Sequence, residues 1–416
     1  MNQYVGNVFV VSRLGQLRNV QNFIKQFNAK KNVLIIQFSV IDGAILKNIC
    51  ELSDRSLYSE IIYVKLPQRP LRVTKKKNIK MYNTIKETIE YINQNYEFNN
   101  LFLCNADKWY SYYEKIKDEE NLNYTLNLLE EGLTTYIVSS DPEYQEEPII
   151  PINILDLKKT CKDIKKTFLK IFKEIRVFFV KILSLIVELV SLPFRTNFIT
   201  IVKQFILKKT LEKKYQFSYI THFHEAFVCF PEKLEQNNFA IDDVKKLQFN
   251  LNKIDSKNFN EIDENYVLFI NQKYINYKQH FDLIFKIFTE MGYRNVYIKL
   301  HPKEDKIAII NQINECLLNY PDLNVEVLNS FDSIPIEDVI YSFKFKKIIG
   351  LTSSSLLYCK ELIKNIDIVS IAERYRELCY EKENHVNPRE LKLFEKEYKN
   401  FCKFGAIDQF VFDENK

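Results

Sequence analysis

The chain has 416 residues, of which 46% are hydrophobic and 27% are charged, and its formal net charge is +5. This length exceeds what one hydrophobic core usually serves, so two globular domains are predicted and a disordered chain is excluded. Only seven glycines occur in the whole chain, which excludes a glycine-rich phosphate loop of the GxGxxG or Walker A type.

The eight cysteines are scattered through the chain and none of them forms a CxxC pair. They occupy positions 50, 104, 161, 229, 316, 359, 379 and 402. Several lie in apolar runs, so we expect buried free thiols in a reducing compartment and not a disulfide framework or a zinc site. The start, Met1–Tyr4, lacks the basic and apolar parts of a signal peptide. The protein is therefore expected in the cytoplasm.

The first 150 residues alternate between apolar runs typical of buried strands and amphipathic runs typical of helices. Strands are predicted at 5–12, 32–40, 58–66 and 100–105, and helices at about 17–27 and 83–96. Such alternation predicts a parallel, doubly wound sheet, whose ligands lie beyond the carboxyl ends of the strands. A further strand, from residue 124, ends on Glu130 and Glu131, and Gly132 follows. The glycine lets the chain turn so that both carboxylates face the open edge, whereas a solvated turn is the alternative.

Residues 158–214 have the most unusual composition, with fifteen Lys and Arg against four Asp and Glu, a net charge of +11. Charges interrupt the apolar residues 168–194, so no run approaches the roughly 20 residues that a membrane span requires. An amphipathic basic helix of this kind suits the surface of an anionic inner membrane. A helix buried against the other domain, or against a second subunit of a homodimer, is an equal alternative. The apolar content argues against nucleic acid as the partner.

A second domain is predicted to begin near Tyr215, and His222 and His224 lie close to its start. His-x-His on a strand places both imidazoles on one face, but no third metal ligand follows at a recognisable spacing. We therefore interpret the pair as surface or interdomain polar residues. Further strands are predicted at 267–271, 295–302 and 324–328, and helices at 281–291, 306–320, 335–341 and 388–404.

Two strands of this second half end in polar groups. The first ends on His301 and Pro302, with Lys299 on the same face as His301. The second ends on a glycine, and four hydroxyl residues come soon after it: Gly350, then Thr352, Ser353, Ser354 and Ser355. A helix is predicted next, and one of these hydroxyl residues should cap it. A helix amino terminus binds anions through its free N–H groups, so the sequence predicts a phosphate site that the imidazole completes.

The ordered set Glu130-Glu131-Gly132, His301-Pro302 and Ser353-Ser354 resembles the bacterial sialyltransferases of glycosyltransferase family 52. That family includes lipooligosaccharide sialyltransferases, and the capsular polysialyltransferases share the three motifs. The resemblance covers nearly the whole chain and implies a GT-B type α/β fold, with two facing Rossmann-like domains of parallel sheets and a central cleft. The implied division is an acceptor-side domain at 1–150, a basic helical segment at 151–214, a nucleotide-sugar domain at 215–385 and a helix crossing back at 386–416.

The resemblance implies an inverting transferase that needs no metal ion and no cofactor. It would move sialic acid from CMP-sialic acid to a hydroxyl of lipooligosaccharide or capsule, at the cytoplasmic face of the inner membrane. Glu131 or Glu130 is implied as the base, and His301 as a phosphate ligand or general acid. The implied nucleotide-binding set comprises His301, Pro302, Lys299, Glu337, Gly350, Thr352, Ser353, Ser354 and Ser355, with Glu337 accepting from ribose hydroxyls.

The loop at 271–277 departs from the family pattern, because some relatives carry an aspartate proposed as base there and this loop contains no carboxylate. Three explanations of this departure stay open. The base is one of the two glutamates, or the donor is another nonulosonic acid or a UDP-hexose, or the protein is a membrane-surface relative without catalytic activity.

Overall fold

The structure, a computed structural model, describes residues 3–4, 6–38, 43–67, 75–106, 108–140, 220–254, 262–272, 276–301, 305–331, 334–381, 386–404 and 407–410. Its strands form two large sheets and one short pair, and all neighbouring strands are parallel. Parallel strands need crossover connections, and helices supply most of them. The predicted α/β class is confirmed.

The first domain contains, in chain order, β1 (Gln3–Tyr4), β2 (Asn7–Val11), α1 (Leu14–Gln26), β3 (Asn32–Phe38), α2 (Gly43–Leu52), β4 (Glu60–Lys65), α3 (Lys75–Asn95), β5 (Tyr96–Glu97), β6 (Asn100–Leu103), α4 (Ser111–Glu119), β7 (Thr125–Leu129), α5 (Leu133–Ser140), β8 (His222–Val228) and β9 (Ala240–Lys246). Its seven-stranded sheet has the order β4-β3-β2-β6-β7-β8-β9. The strand order thus reverses next to β2, and such a reversal opens a crevice at the carboxyl ends of the strands.

Strand β2 is apolar throughout because it is buried on both faces of the sheet. Val8 and Val10 pack into the cluster on one face, together with residues of α3 and α4. Phe9 and Val11 pack into the cluster on the other face, together with residues of α1. Alternate side chains of a strand point to opposite faces, so a continuous apolar run is the pattern of a sheet with both faces covered.

The second domain contains β10 (Val267–Ile270), α6 (Tyr277–Glu290), β11 (Asn295–Lys299), α7 (Lys306–Leu317), β12 (Asn324–Val327), α8 (Ile336–Ser342), β13 (Lys347–Gly350), α9 (Ser354–Leu362), β14 (Ile368–Ser370), α10 (Ala372–Tyr380), α11 (Pro388–Phe404) and β15 (Asp408–Gln409). The order of its sheet is β12-β11-β10-β13-β14-β15, so β10 occupies the place that β2 has in the first sheet. Both sheets have the doubly wound order of dinucleotide-binding domains. Two such domains around a shared cleft make the GT-B architecture, as predicted.

The domain boundary predicted near residue 215 is wrong, because β8 and β9 belong to the first sheet. Asn127 of β7 lies opposite Glu225 of β8, and β9 pairs along the other edge of β8. The change of composition at the end of the basic segment is therefore not a domain boundary. The chain passes from the first sheet to the second between β9 and β10.

Helix α11 packs mainly against the second domain. Phe394 lies in the core cluster of α6 and α10, and the strand that follows, β15, pairs with β14. An ion pair with the first domain joins Lys403 Nζ to Glu235 Oε1, at 3.1 Å. Phe401 also lies in a core cluster that contains Tyr136 and Val228 of the first domain. The helix predicted to cross back to the first domain thus reaches it near its carboxyl end.

The basic segment 158–214 lies outside the described residues. Within the described ranges, no helix combines the length and the apolar character needed to cross a membrane.

Candidate active site

A cavity of about 500 Å³ lies between the two domains, where strands of both sheets end. Its first-domain wall consists of residues that follow β2, β7 and β9, and its second-domain wall of residues at or after the ends of β10, β11, β12 and β13. The predicted residues that line it are Glu131, Lys299, His301, Glu337, Thr352, Ser353, Ser354 and Ser355. Residues from seven strand ends, some of them more than 200 positions apart in the chain, therefore meet in one cleft of a size that suits a small ligand.

The serine stretch opens helix α9. Ser353 is the N-cap, and its hydroxyl accepts from the N–H of Ser355 at 3.3 Å. The Ser355 hydroxyl in turn donates to Glu337 Oε1 at 2.7 Å. As predicted, a hydroxyl residue caps the helix, and the amino terminus of α9 faces the cavity beside His301 and Lys299. The positive end of the helix dipole and these basic groups favour an anion here.

Among the described residues of the predicted nucleotide-binding set, Gly350 is the one that does not line the cavity. Gly350 is the last residue of β13 and is absent from the cavity wall; a Cβ there would lie 3.1 Å from the Leu356 side chain. Its role is therefore packing of strand against helix, which is a correction to the prediction. Pro302 lies outside the described residues.

Glu131 is the carboxylate that faces the cavity. Its Oε1 lies 2.8 Å from Arg13 Nη1, and its Oε2 accepts from the Asn105 amide. The Glu131 side chain is only 5% exposed, whereas the Arg13 side chain, at the mouth, is 53% exposed. The backbone N–H of Glu131 donates to the Thr135 hydroxyl at 2.8 Å. These contacts fix both the main chain and the side chain of Glu131, so that its carboxylate is preorganised in the cavity wall.

Glu130 is fully buried and does not line the cavity. Its Oε2 accepts from the Tyr136 hydroxyl at 2.7 Å and from the N–H of Cys229. Burial raises the pKa of Glu130 from 4.5 to about 7. The expectation that both glutamates face the open edge is thus wrong, because neighbouring side chains at a strand end point to opposite sides.

Gly132 gives the turn after the two glutamates a backbone that other residues rarely adopt. Its φ is +128°, and a Cβ would meet nothing within 4 Å, so backbone conformation and not crowding requires glycine. The Asn19 amide of α1 donates to the Glu130 carbonyl at 2.6 Å and holds the start of this turn. The role predicted for the glycine in the turn agrees with this geometry.

Two amide residues, Asn271 and Gln272, follow β10 at the start of the loop that lacks a carboxylate. Gln272 accepts from the Thr352 N–H at 2.8 Å and its amide donates to the Thr352 hydroxyl at 3.0 Å. Asn271 Oδ1 lies 2.9 Å from Nε2 of the buried His280. Burial lowers the pKa of His280 to about 3, so this imidazole is neutral and donates to Asn271. Gln272 therefore anchors Thr352, just before the serine stretch.

Arg18 of α1 crosses from the first domain to α8 of the second. Its Nη2 pairs with Asp338 Oδ1, and its Nη1 lies 3.5 Å from Glu337 Oε2. The guanidinium also stacks 4.3 Å from the centre of the Phe249 ring. Nothing in the sequence singled out this arginine, because its carboxylate partners lie more than 300 positions away.

His222 and His224 lie on the exposed face of β8 and both bind Asp242 of β9, at 2.8 and 3.1 Å. Neither histidine lines the cavity, which agrees with the interpretation as surface polar residues. Among the described residues, no three His, Cys, Asp or Glu side chains form a group that could hold a metal ion.

Solved structures of similar topology are remote in sequence. A glycosyltransferase from Rickettsia africae is 9% identical over 97% of this chain and 94% of its own, with a TM-score of 0.39. A UGT transferase from Siraitia grosvenorii in complex with UDP is 11% identical over 96% and 98%, with a TM-score of 0.43. Likenesses this weak carry no argument about ligand or activity. No curated protein matches the chain.

A family model settles the relationship where individual structures do not. The model described as Alpha-2,8-polysialyltransferase (POLYST) matches residues 7–372. This range includes both sheets up to β14 and every residue that lines the cavity. The chain is therefore a glycosyltransferase that belongs to the alpha-2,8-polysialyltransferase family.

Proposed function

We propose that the protein transfers sialic acid from cytidine monophosphate (CMP)-sialic acid to a hydroxyl of a bacterial cell-surface glycan, with inversion and without a metal ion. The observation that carries this proposal is the cavity, which is lined both by the carboxylate of Glu131 and by His301 with the amino terminus of α9. An inverting transfer needs a base for the acceptor and a stabilising site for the departing phosphate. Both kinds of group line this cleft.

In the proposed reaction the acceptor hydroxyl gives its proton to Glu131 while its oxygen bonds to the anomeric carbon of the sugar. The bond between that carbon and the phosphate oxygen breaks, and CMP departs with the electron pair. His301 and the hydroxyls and N–H groups around Ser353 and Ser354 stabilise the added negative charge. A single displacement of this kind inverts the anomeric carbon. Because the donor has one phosphate, protein groups suffice and no metal ion is required.

Two alternatives use the same cleft differently. A donor with another nonulosonic acid, or a UDP-hexose, would bind through the same helix amino terminus. A relative without catalytic activity would be favoured by the loop at 271–277, which has no carboxylate. Glu131 in the cavity wall supports the catalytic function, because it supplies the base that this loop lacks. A close relationship to family 52 remains a proposal resting on the three shared motifs.

The nucleotide that is released from the sugar donor distinguishes these functions. Purified protein would be incubated with CMP-sialic acid or UDP-glucose, with EDTA or magnesium, and with glycans that end in sialic acid or galactose. The family name makes the sialic acid terminus the preferred acceptor. We expect CMP release that depends on the acceptor and persists in EDTA. Release of UDP alone, or a requirement for magnesium, would refute the proposed donor and mechanism.

His301→Ala is expected to weaken CMP binding about ten- to a hundredfold. The variant loses a charge-assisted hydrogen bond to phosphate, which contributes roughly 1.5–3 kcal/mol. Calorimetry with CMP in EDTA measures the effect. His222→Ala is the matched control, because His222 lies on β8 away from the cavity, and its affinity should equal that of the wild type. Equal affinities in all three proteins would remove His301 from the phosphate site.

We also propose that the basic segment 158–214 holds the enzyme at the cytoplasmic face of the inner membrane, where a lipid-linked acceptor is presented. Its net charge of +11 and its apolar residues supply electrostatic attraction and insertion, the two ingredients of interfacial binding. Sedimentation with anionic vesicles should decline at high salt, and further when Lys165, Lys166, Lys170 and Lys173 become Gln. Equal partition onto neutral and anionic vesicles would instead favour a helix packed between domains or subunits.

A further inference from the structure

We propose that Arg18 is a positioning residue through which the first domain sets the charge and geometry of the donor site in the second. The inference rests on the proposed function insofar as the donor is a nucleotide. Arg18 belongs to α1, which follows the central strand β2, and its side chain lines the cavity. Its carboxylate partners, Glu337 and Asp338, belong to the first turn of α8 in the other domain.

The guanidinium is enclosed on several sides, so its position is determined. The Arg18 side chain is 9% exposed, and those of Glu337 and Asp338 are 14% and 5% exposed. Its Nη2 also donates to the carbonyl of Asn250 at 2.9 Å, and Phe249 lies against its face. Asn250 follows the last strand of the first sheet. A buried arginine thus joins α1, the connection between the domains, and α8.

The carboxylates of Asp338 and Glu337 have different hydrogen-bond partners besides Arg18. Asp338 also accepts from the N–H of Asn252 at 2.8 Å and fixes the interdomain connection to α8. Glu337 instead accepts from the Ser355 hydroxyl at 2.7 Å, and Ser355 lies in the first turn of α9 at the cavity wall. A chain of contacts therefore runs from Arg18 through Glu337 to the amino terminus that is proposed to bind phosphate.

Charge explains why this arrangement matters for an anionic ligand. Two carboxylates next to a phosphate site would repel the nucleotide, and the repulsion is strong where water is largely excluded. Arg18 offsets that repulsion without having to touch the phosphate itself. Because Arg18 Nη1 is 3.5 Å from Glu337 Oε2, beyond ordinary hydrogen-bond length, a small approach of the domains would strengthen the pair.

The test compares CMP affinity by calorimetry in five proteins: wild type, Arg18→Met, Glu337→Gln, Arg18→Met with Glu337→Gln, and Arg374→Met. Arg374 is a matched control, since its side chain is 10% exposed and pairs with Glu290, and neither residue lines the cavity. We expect Arg18→Met to raise the Kd about tenfold when Glu337 is present, to raise it much less in the Glu337→Gln background, and Arg374→Met to bind like the wild type. Glu337→Gln keeps an acceptor for the Ser355 hydroxyl but removes the negative charge, and comparison within that background cancels any direct contact of Glu337 with the nucleotide.

The outcomes separate this inference from the proposed function. If the wild type binds UDP and not CMP, the proposed donor fails and the same comparison is made with UDP. Unchanged affinity in Arg18→Met, or an equal loss of affinity from Arg18→Met with and without Glu337→Gln, would overturn the inference while leaving the donor assignment intact. Fluorescence of Trp109, the single tryptophan, checks that the first domain of each variant is folded. Arg18→Lys, which keeps the positive charge, should bind CMP more tightly than Arg18→Met. If Arg18→Met does not fold, Arg18→Lys takes its place in the comparison.

Discussion

Glu131→Gln should lower kcat by roughly two to four orders of magnitude while leaving CMP affinity nearly unchanged, as the loss of a general base does. Glutamine keeps the size of the side chain and one of the two oxygens that bind Arg13 and Asn105, but it cannot take a proton at working pH. The structure makes this carboxylate the candidate because it lines the cavity and Glu130 does not. Initial rates with saturating donor and acceptor measure kcat, and calorimetry measures donor-site binding.

Glu130→Gln is the matched control for that experiment, since it makes the same change one residue earlier. It should retain most of kcat, because the Glu130 side chain binds Tyr136 and Cys229 and not the ligand. A large loss in Glu130→Gln with none in Glu131→Gln would reverse the roles. If neither variant loses activity, the base lies elsewhere. Partial recovery of Glu131→Ala by added formate would further support a missing carboxylate.

A pH-dependent loss of stability is the second large effect, and it belongs to Glu130. Burial raises the pKa of this carboxyl from 4.5 to about 7. The folded protein therefore holds a proton that the unfolded chain releases near pH 4.5. This contribution to the free energy of unfolding is fully present below about pH 4.5 and is lost as the pH rises through about 7. The shift corresponds to about 3 kcal/mol.

Urea unfolding between pH 5 and 8 measures this contribution, with Trp109 fluorescence as the signal. Trp109 lies in the core of the first domain, as Glu130 does, so the signal reports the relevant domain. The stability difference between wild type and Glu130→Gln should shrink or change sign across this range, because the amide does not titrate. Glu232→Gln, on an exposed turn, should follow the wild type. Parallel curves for wild type and Glu130→Gln would show that Glu130 ionises normally.

Local sequence determined the parts of this protein that depend on neighbours along the chain. The apolar run at 5–12 predicted a buried strand, and β2 is buried on both faces because strand side chains alternate. The four hydroxyl residues before a helical run predicted a capped helix, and Ser353 is that cap. Gly132 predicted a turn, and its positive φ is a backbone conformation that favours glycine. The ordering of these motifs also identified the sialyltransferase-like character that the family match supports.

Tertiary structure alone decided which distant residues meet. The pairing of β7 with β8 places β8 in the first sheet, because strand partners are chosen by packing and not by distance along the chain. The different surroundings of Glu130 and Glu131 depend on Tyr136, Cys229 and the cavity, which no local pattern contains. Arg18 and Asp338 are 320 positions apart, and on a helix surface an arginine usually remains in water. Only the docking of two domains removes that water and turns an ordinary charged residue into an interdomain ion pair.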